Sequence, residues 1–262
     1  MVEAATVQTA RVTVGRAIIL VLAGIGGGLA GSIAGLASLF SYPVLLAFGL
    51  PPVTANVTNT VSLVFSSTGS ISGSRPELVG QGPRVRQLAI AGLIGGALGA
   101  LLLLATPADS FERVVPVLIA GASVAILARR KLVDEVVADG THRVGPRVVV
   151  GVGVVGIYGG YFGAGAGVML LALLLLATGD PLPRCNAVKN VVLGLANGIA
   201  AIGFAIFGPV RWSVVLPLGL GLFIGGRIGP TVVRRSPAGV LRIIIAIAGL
   251  GLAVKLGYDT YR

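Results

Sequence analysis

Eight stretches of this chain are each apolar over roughly the length a helix needs to cross a bilayer, and what lies between them is too short to build a soluble core. At about 1.5 Å per residue, some 20 apolar residues cover ~30 Å of hydrocarbon. The stretches run from Ala17 to Gly49, Val53 to Gly73, Gln87 to Ala105, Phe111 to Leu127, Val148 to Thr178, Asn186 to Phe207, Ser213 to Val233 and Val240 to Leu256. Hydrophobic residues make up 55% of the chain and charged ones 11%, with a mean hydropathy of +0.98. Soluble domains carry about 25% charged residues, so that class is excluded. The expected fold is all-α: a polytopic integral membrane protein of about eight transmembrane helices in two homologous repeats. Arg11 and Arg16 precede the first stretch, which is more than twice the length of a signal-peptide core, so it is expected to stay as a span.

The repeats show in the glycines. Gly27, Gly31 and Gly35 stand four apart, then Gly49-Leu50-Pro51-Pro52 makes a turn and Ala55-Asn56-Val57-Thr58-Asn59 follows. Gly159, Gly163 and Gly167 keep the spacing, Gly179-Asp180-Pro181 turns, and Asn186-Ala187-Val188-Lys189-Asn190 follows. Further on, Ile94-Gly95-Gly96-Ala97-Leu98-Gly99 is matched by Ile224-Gly225-Gly226-Arg227-Ile228-Gly229. Membrane transporters place their substrate site between such internal repeats. The expected division is residues 1–128 as the first repeat, 129–147 as a cytoplasmic linker and 148–262 as the second repeat. The first stretch of each half is too long for one straight span, and the sequence leaves open a tilted helix or one broken in its glycine ladder. Unbroken segments give parallel four-helix halves, which is the arrangement adopted; broken ones give inverted five-plus-five halves.

Basic residues orient the chain, because cytoplasmic loops carry an excess of Lys and Arg. With the N-terminus inside and eight spans, thirteen basic residues fall inside, among them Arg75, Arg84, Arg86 and the linker group Arg129 to Arg147, and four outside: Arg113, Arg184, Arg234 and Arg235. The expected location is the cell (inner) membrane, multi-pass, with both termini and the linker cytoplasmic. The net charge of +11 therefore reads as loop bias and not as a nucleic-acid surface. One cysteine, Cys185, permits no internal disulfide and no cysteine-based metal site. The nine acidic residues all avoid span interiors, so no intramembrane carboxylate pair exists for acid–base work. No cofactor and no metal are expected. The lone His142, in the linker, reads as solvated.

Polar residues at the starts of the second spans are the candidate site. Asn56, Asn59 and Ser66 share a face in the first half, in a span rich in hydroxyls; Asn186, Lys189, Asn190 and Asn197 match them in the second. Helix N-termini present unpaired N–H groups and partial positive charge, which favour anions. Two such starts bearing amides and a lysine would cradle a small oxyanion. The competing roles are helix capping for Asn186 and an interfacial anchor for Lys189. Gly31, Gly35, Gly163, Gly165 and Gly167 are read either as close-packing points or as hinges lining a cavity.

These residues together resemble the sulfite exporter TauE/SafE family. The resemblance rests on Gly35-Leu36-Ala37-Ser38-Leu39 leading to Pro43, on Gly49-Leu50-Pro51 with Ala55-Asn56, on Gly156 to Gly167, on Asn186-Ala187-Val188-Lys189, and on Gly208-Pro209-Val210-Arg211-Trp212. Ala37 and Ser38 depart from the family's glycine cluster. The resemblance covers the chain from about Ala17 to Leu256 and implies a polytopic transporter of sulfite, sulfonates or other sulfur-containing anions. The expected function is thus a membrane transporter, an exporter of a small anion, whose partners are that substrate and the lipid bilayer, with a homo-oligomer left open. The alternatives are an integral-membrane enzyme, disfavoured because the spans lack catalytic groups, and a membrane subunit without transport of its own.

Overall fold

The computed structural model describes residues 13–115, 117–118 and 144–235, and among these it is helical with no strand. The first half supplies α1 (Val14–Ala34), α2 (Ala37–Ala47), α3 (Pro52–Gly73), the single turn α4 (Arg75–Leu78), α5 (Gly82–Ala105) and α6 from residue 108 to 115. The second half supplies α7 (Pro146–Tyr161), α8 (Ala166–Thr178), α9 (Leu182–Phe207) and α10 (Trp212–Arg235). The linker with His142 and the stretch from Val240 to Leu256 lie outside the described residues, as does most of the stretch from Phe111 to Leu127. Four described helices, α1, α5, α9 and α10, are long and apolar enough to cross a membrane. Prolines set several starts: α3, α5, α7 and α9 each carry one in the first two positions, where the missing N–H costs no hydrogen bond. The outward surface is apolar, with Ile18, Leu22, Ile94, Leu101, Val154, Ile206 and Leu216 all exposed, as lipid contact requires.

Both long first stretches are broken, which resolves the alternative the sequence left open. α1 ends at Gly35, whose φ of 77° is a left-handed conformation that L side chains rarely adopt. The second break uses Gly163 and Gly165, with φ of 77° and 78°, and is pinned by the Tyr158 hydroxyl donating to Ala164 O at 2.6 Å. Each break folds the chain back into a helical hairpin: Gly26 faces Phe40 and Gly31 faces Ala37 in the first, Gly151 faces Leu173 and Gly159 faces Ala166 in the second.

Glycine contacts also fix the helix directions. Gly24 lies against Gly221, Gly28 against Gly226 and Ser32 against Gly229, so α1 and α10 are parallel. Gly69 against Phe223 and Gly73 against Pro230 make α3 parallel to α10 as well. In the other group Gly92 meets Val192, Gly96 meets Ala196, Gly95 meets Gly156 and Gly99 meets Gly160, so α5, α7 and α9 run together. The groups join where α3 and α9 pack antiparallel, Gly194 sitting on Ser67 and the start of α9 lying beside α4. Small residues allow these approaches, which is how helices associate where lipid supplies no hydrophobic drive.

One expectation is corrected by this geometry. Helices of the same order in the two halves run in opposite directions, so the parallel four-plus-four arrangement does not hold. The starts of α1 and α7 consequently lie at opposite ends of the bundle. The physical reason is the hairpin: a stretch that enters and returns adds a reversal which a ruler of apolar length does not count. The described basic residues then sort differently, with Arg75, Arg84, Arg86, Arg147, Arg184, Arg234 and Arg235 at the linker end and Arg16, Arg113 and Arg211 at the other. Two ion pairs brace the linker end: Arg84 with Asp180, and Arg234 with Glu77 at 2.7 Å.

Candidate functional site

The hairpins enter from opposite ends and their tips touch. A methyl group added at Gly35 would run into the backbone of Gly167, approaching Val168 N to 2.7 Å, and one added at Gly167 would reach Gly35 O at the same distance. Beside this contact lies a cavity of about 50 Å³. Its walls are the tips (Gly31, Gly35, Ala37, Ser38; Gly163, Ala166, Gly167), one face of α3 (Leu63, Ser66, Ser67, Ser70) and one face of α9 (Lys189, Asn190, Leu193, Asn197).

Of the residues singled out in the sequence, Ser66, Lys189, Asn190 and Asn197 line this cavity, together with Gly31, Gly35, Gly163 and Gly167. Gly165 does not line it and serves as the left-handed N-cap of α8. Asn56, Asn59 and Asn186 are buried elsewhere. The Asn56 amide donates to Tyr161 O, near the end of α7, at 2.8 Å. The Asn186 amide donates to Ser32 O, near the end of α1, at 2.7 Å. Each asparagine thus ties down the interrupted helix of the opposite half. Asn186 is therefore no N-cap, and the start of α9 has no side-chain capping bond. The Asn59 side-chain oxygen accepts from the Ser41 hydroxyl at 2.5 Å.

A second correction concerns which helix starts face the cavity. The starts of α3 and α9 lie at opposite ends of the bundle and do not converge. The starts that do converge belong to the returning arms: Ala37 and Ser38 open α2, Ala166 and Gly167 open α8, and all four line the cavity. Two positive helix ends therefore point at one space, a feature of broken transmembrane helices. Sequence reasoning missed them because a break was only one of two open readings. The signal was present in Gly35 and Gly163-Ala164-Gly165, glycines that interrupt the stretches without a polar turn.

Lys189 adds charge to the same wall. It is 1% exposed, and its Nζ donates to Gly31 O at 3.0 Å and to Ser32 O at 3.4 Å. Carbonyls at a helix C-terminus carry partial negative charge, so a cation is favourable there. Its neighbour Asn190 is 6% exposed, and its Nδ2 has no hydrogen-bond partner among the described residues. Many of the α3 hydroxyls turn away from the cavity: those of Thr60, Ser62 and Thr68 bond the carbonyl four residues back, and Ser72 bonds Gly69 O. Among the described residues Arg211 contributes only its backbone N–H, to the Thr58 hydroxyl at 3.0 Å. No cluster of three or more His, Cys, Asp or Glu side chains able to hold a metal occurs among the described residues.

A lipid-facing helical bundle with broken helices meeting at an internal polar cavity defines a polytopic membrane transporter. Comparison with known proteins carries this further. The profile described as "Sulfite exporter TauE/SafE" matches residues 20–256, and the chain belongs to that family. It is 28% identical to "Probable membrane transporter protein ORF9" of Sinorhizobium sp over 236 residues, 88% of each chain. It is also 28% identical to "Probable membrane transporter protein YfcA" of Escherichia coli over 240 residues, 89% of this chain and 87% of the relative. A "Probable membrane transporter protein" of Haemophilus influenzae is 27% identical over 234 residues, 87% of this chain and 89% of that one. No solved structure matches the chain.

Proposed function

We propose that this transporter exports a small anion, a sulfur oxyanion in preference to an organic sulfonate, through the cavity between α3, α9 and the two hairpin tips. The observation that carries the reading is the convergence on one space of two helix N-termini, Lys189 and the Asn190 amide, whose Nδ2 is unpartnered among the described residues. Each favours negative charge, and none needs a carboxylate. A cavity that binds benzene measures about 150 Å³, so a space of about 50 Å³ suits a compact inorganic oxyanion better than a taurine-sized molecule, and even that needs the walls to part. Ser66, Ser67 and Ser70 would donate to its oxygens, with Asn197 at the rim. Gly31, Gly35, Gly163 and Gly167 would act as the hinges at which the tips separate.

Export follows from electrostatics. An interior-negative membrane drives anions outward by about 2.3 kcal/mol per charge for each 100 mV. The seven arginines at the linker end support placing that end in the cytoplasm, with residue 14 on the outer side of the inner membrane. The test is flux of sulfite, sulfate, thiosulfate, taurine and sulfoacetate from proteoliposomes, with the potential set by potassium and valinomycin at equal pH. Sulfite flux that follows the imposed potential is expected. Movement that ignores the potential but tracks a pH gradient would sink uncoupled export. The same assay with purified chain addresses the second reading, a subunit with no transport of its own, because that subunit would move none of the five.

A further inference from the structure

One correspondence between the halves is broken by charge. Asn56-x-x-Asn59 and Asn186-x-x-Lys189 have the same spacing, and Asn56 and Asn186 do the same work, each holding a carbonyl at the end of the opposite interrupted helix. The fourth positions differ. Asn59 engages Ser41, whereas Lys189 carries an ammonium to the C-terminal end of α1.

The last carbonyls of a helix have no intrahelical partner, and inside a bilayer no water replaces one. At the end of α1, Gly31 O accepts the Gly35 N–H at 2.8 Å and Ser32 O accepts the Asn186 amide at 2.7 Å. The Lys189 ammonium sits on both oxygens. Carbonyls at the end of a broken membrane helix are the donor set with which transporters hold a coupling sodium ion. We propose that Lys189 is a tethered counter-cation: its ammonium fills a monovalent-cation seat at the end of α1, so the first hairpin is held without a bound metal ion. Lys189 is thus a positioning residue for α1, whether or not the cavity carries an anion.

The test uses the full chain in detergent and no anionic substrate. Lys189→Ala removes the ammonium and its stem, leaving the carbonyls and room for a small ion. Lys189→Met removes the charge but fills the space. Each is melted at constant ionic strength in chloride salts of N-methylglucamine, sodium, lithium and methylammonium. Wild type and Lys189→Met should melt alike in all four salts. Lys189→Ala should gain roughly 2–4 °C from about 100 mM sodium or methylammonium over N-methylglucamine. If Lys189→Ala accumulates only when purified in methylammonium, that recovery is the same result read earlier. A Lys189→Ala melt that is equal in every salt, an equal gain in wild type, or a variant that no small cation recovers would overturn the proposal. No anion takes part, so these outcomes are independent of the export reading.

Discussion

Adding one methyl group where the hairpin tips meet separates close approach from backbone strain, because three glycines sample the two effects differently. Gly49 has φ of 81° and nothing among the described residues within 4 Å of an added methyl group, so Gly49→Ala carries strain alone. A left-handed alanine costs about 1–2 kcal/mol. Gly167 lies within helix α8, free of that strain, but its methyl group would press on Gly35, so Gly167→Ala carries the collision alone. Overpacking of this kind costs about 1–3 kcal/mol. Gly35 has both a φ of 77° and the collision, so Gly35→Ala should cost about 2–5 kcal/mol. At roughly 2–4 °C per kcal/mol, the expected losses in melting temperature are about 2–8 °C, 2–12 °C and 4–20 °C in that order. The ordering matters more than the ranges: the Gly35→Ala loss should equal the sum of the other two. The double variant Gly35→Ala with Gly167→Ala should cost less than its parts, because both methyl groups act on one contact. The assay is thermal unfolding in detergent with sulfite flux in parallel, and flux should fall with Gly35→Ala and Gly167→Ala but not with Gly49→Ala. Equal losses from Gly35→Ala and Gly49→Ala, with Gly167→Ala unchanged, would show that the tips do not touch.

Two further outcomes are expected. Lys189→Gln should weaken sulfite binding by roughly 10- to 150-fold, the range of a lost charge-assisted hydrogen bond, and Arg211→Gln by little, since Arg211 does not line the cavity; titration calorimetry decides, and equal small effects would remove Lys189 from the site. Single cysteines at Thr13 and Gly145 on a Cys185→Ala background should label from opposite faces of intact cells, with position 145 shielded inside; labelling from one face would contradict the hairpin topology.

The class of fold was legible in the sequence because apolar length and low charge are decided by the bilayer itself. The candidate site was legible only in part. Ser66, Lys189, Asn190 and Asn197 were reached through polar residues on a helix face, which periodicity reports directly. Asn56 and Asn186 look the same by that measure, yet their amides go to carbonyls of the opposite hairpin. Sequence separation hides such a partner: Asn56 and Tyr161 are 105 residues apart, Asn186 and Ser32 are 154. The helix starts of α2 and α8 were missed for a different reason. A glycine four residues from another reads equally as tight packing or as a break, and only the φ values at Gly35, Gly163 and Gly165 distinguish them.

The pairing of α1 with α10 also sets a clock on biogenesis. Gly24 waits for Gly221, about 200 residues later in the chain. Synthesis proceeds at roughly 5–20 residues per second, so the first hairpin stays in the membrane for some 10–40 s before its main partner is made. Over that interval its glycine face is covered by lipid or by the insertion machinery, and a ribosome that stalls before α10 leaves it bare. Neither half therefore covers its own glycine faces: α1 and α3 of the first lie on α10 of the second, and α7 and α9 of the second lie on α5 of the first.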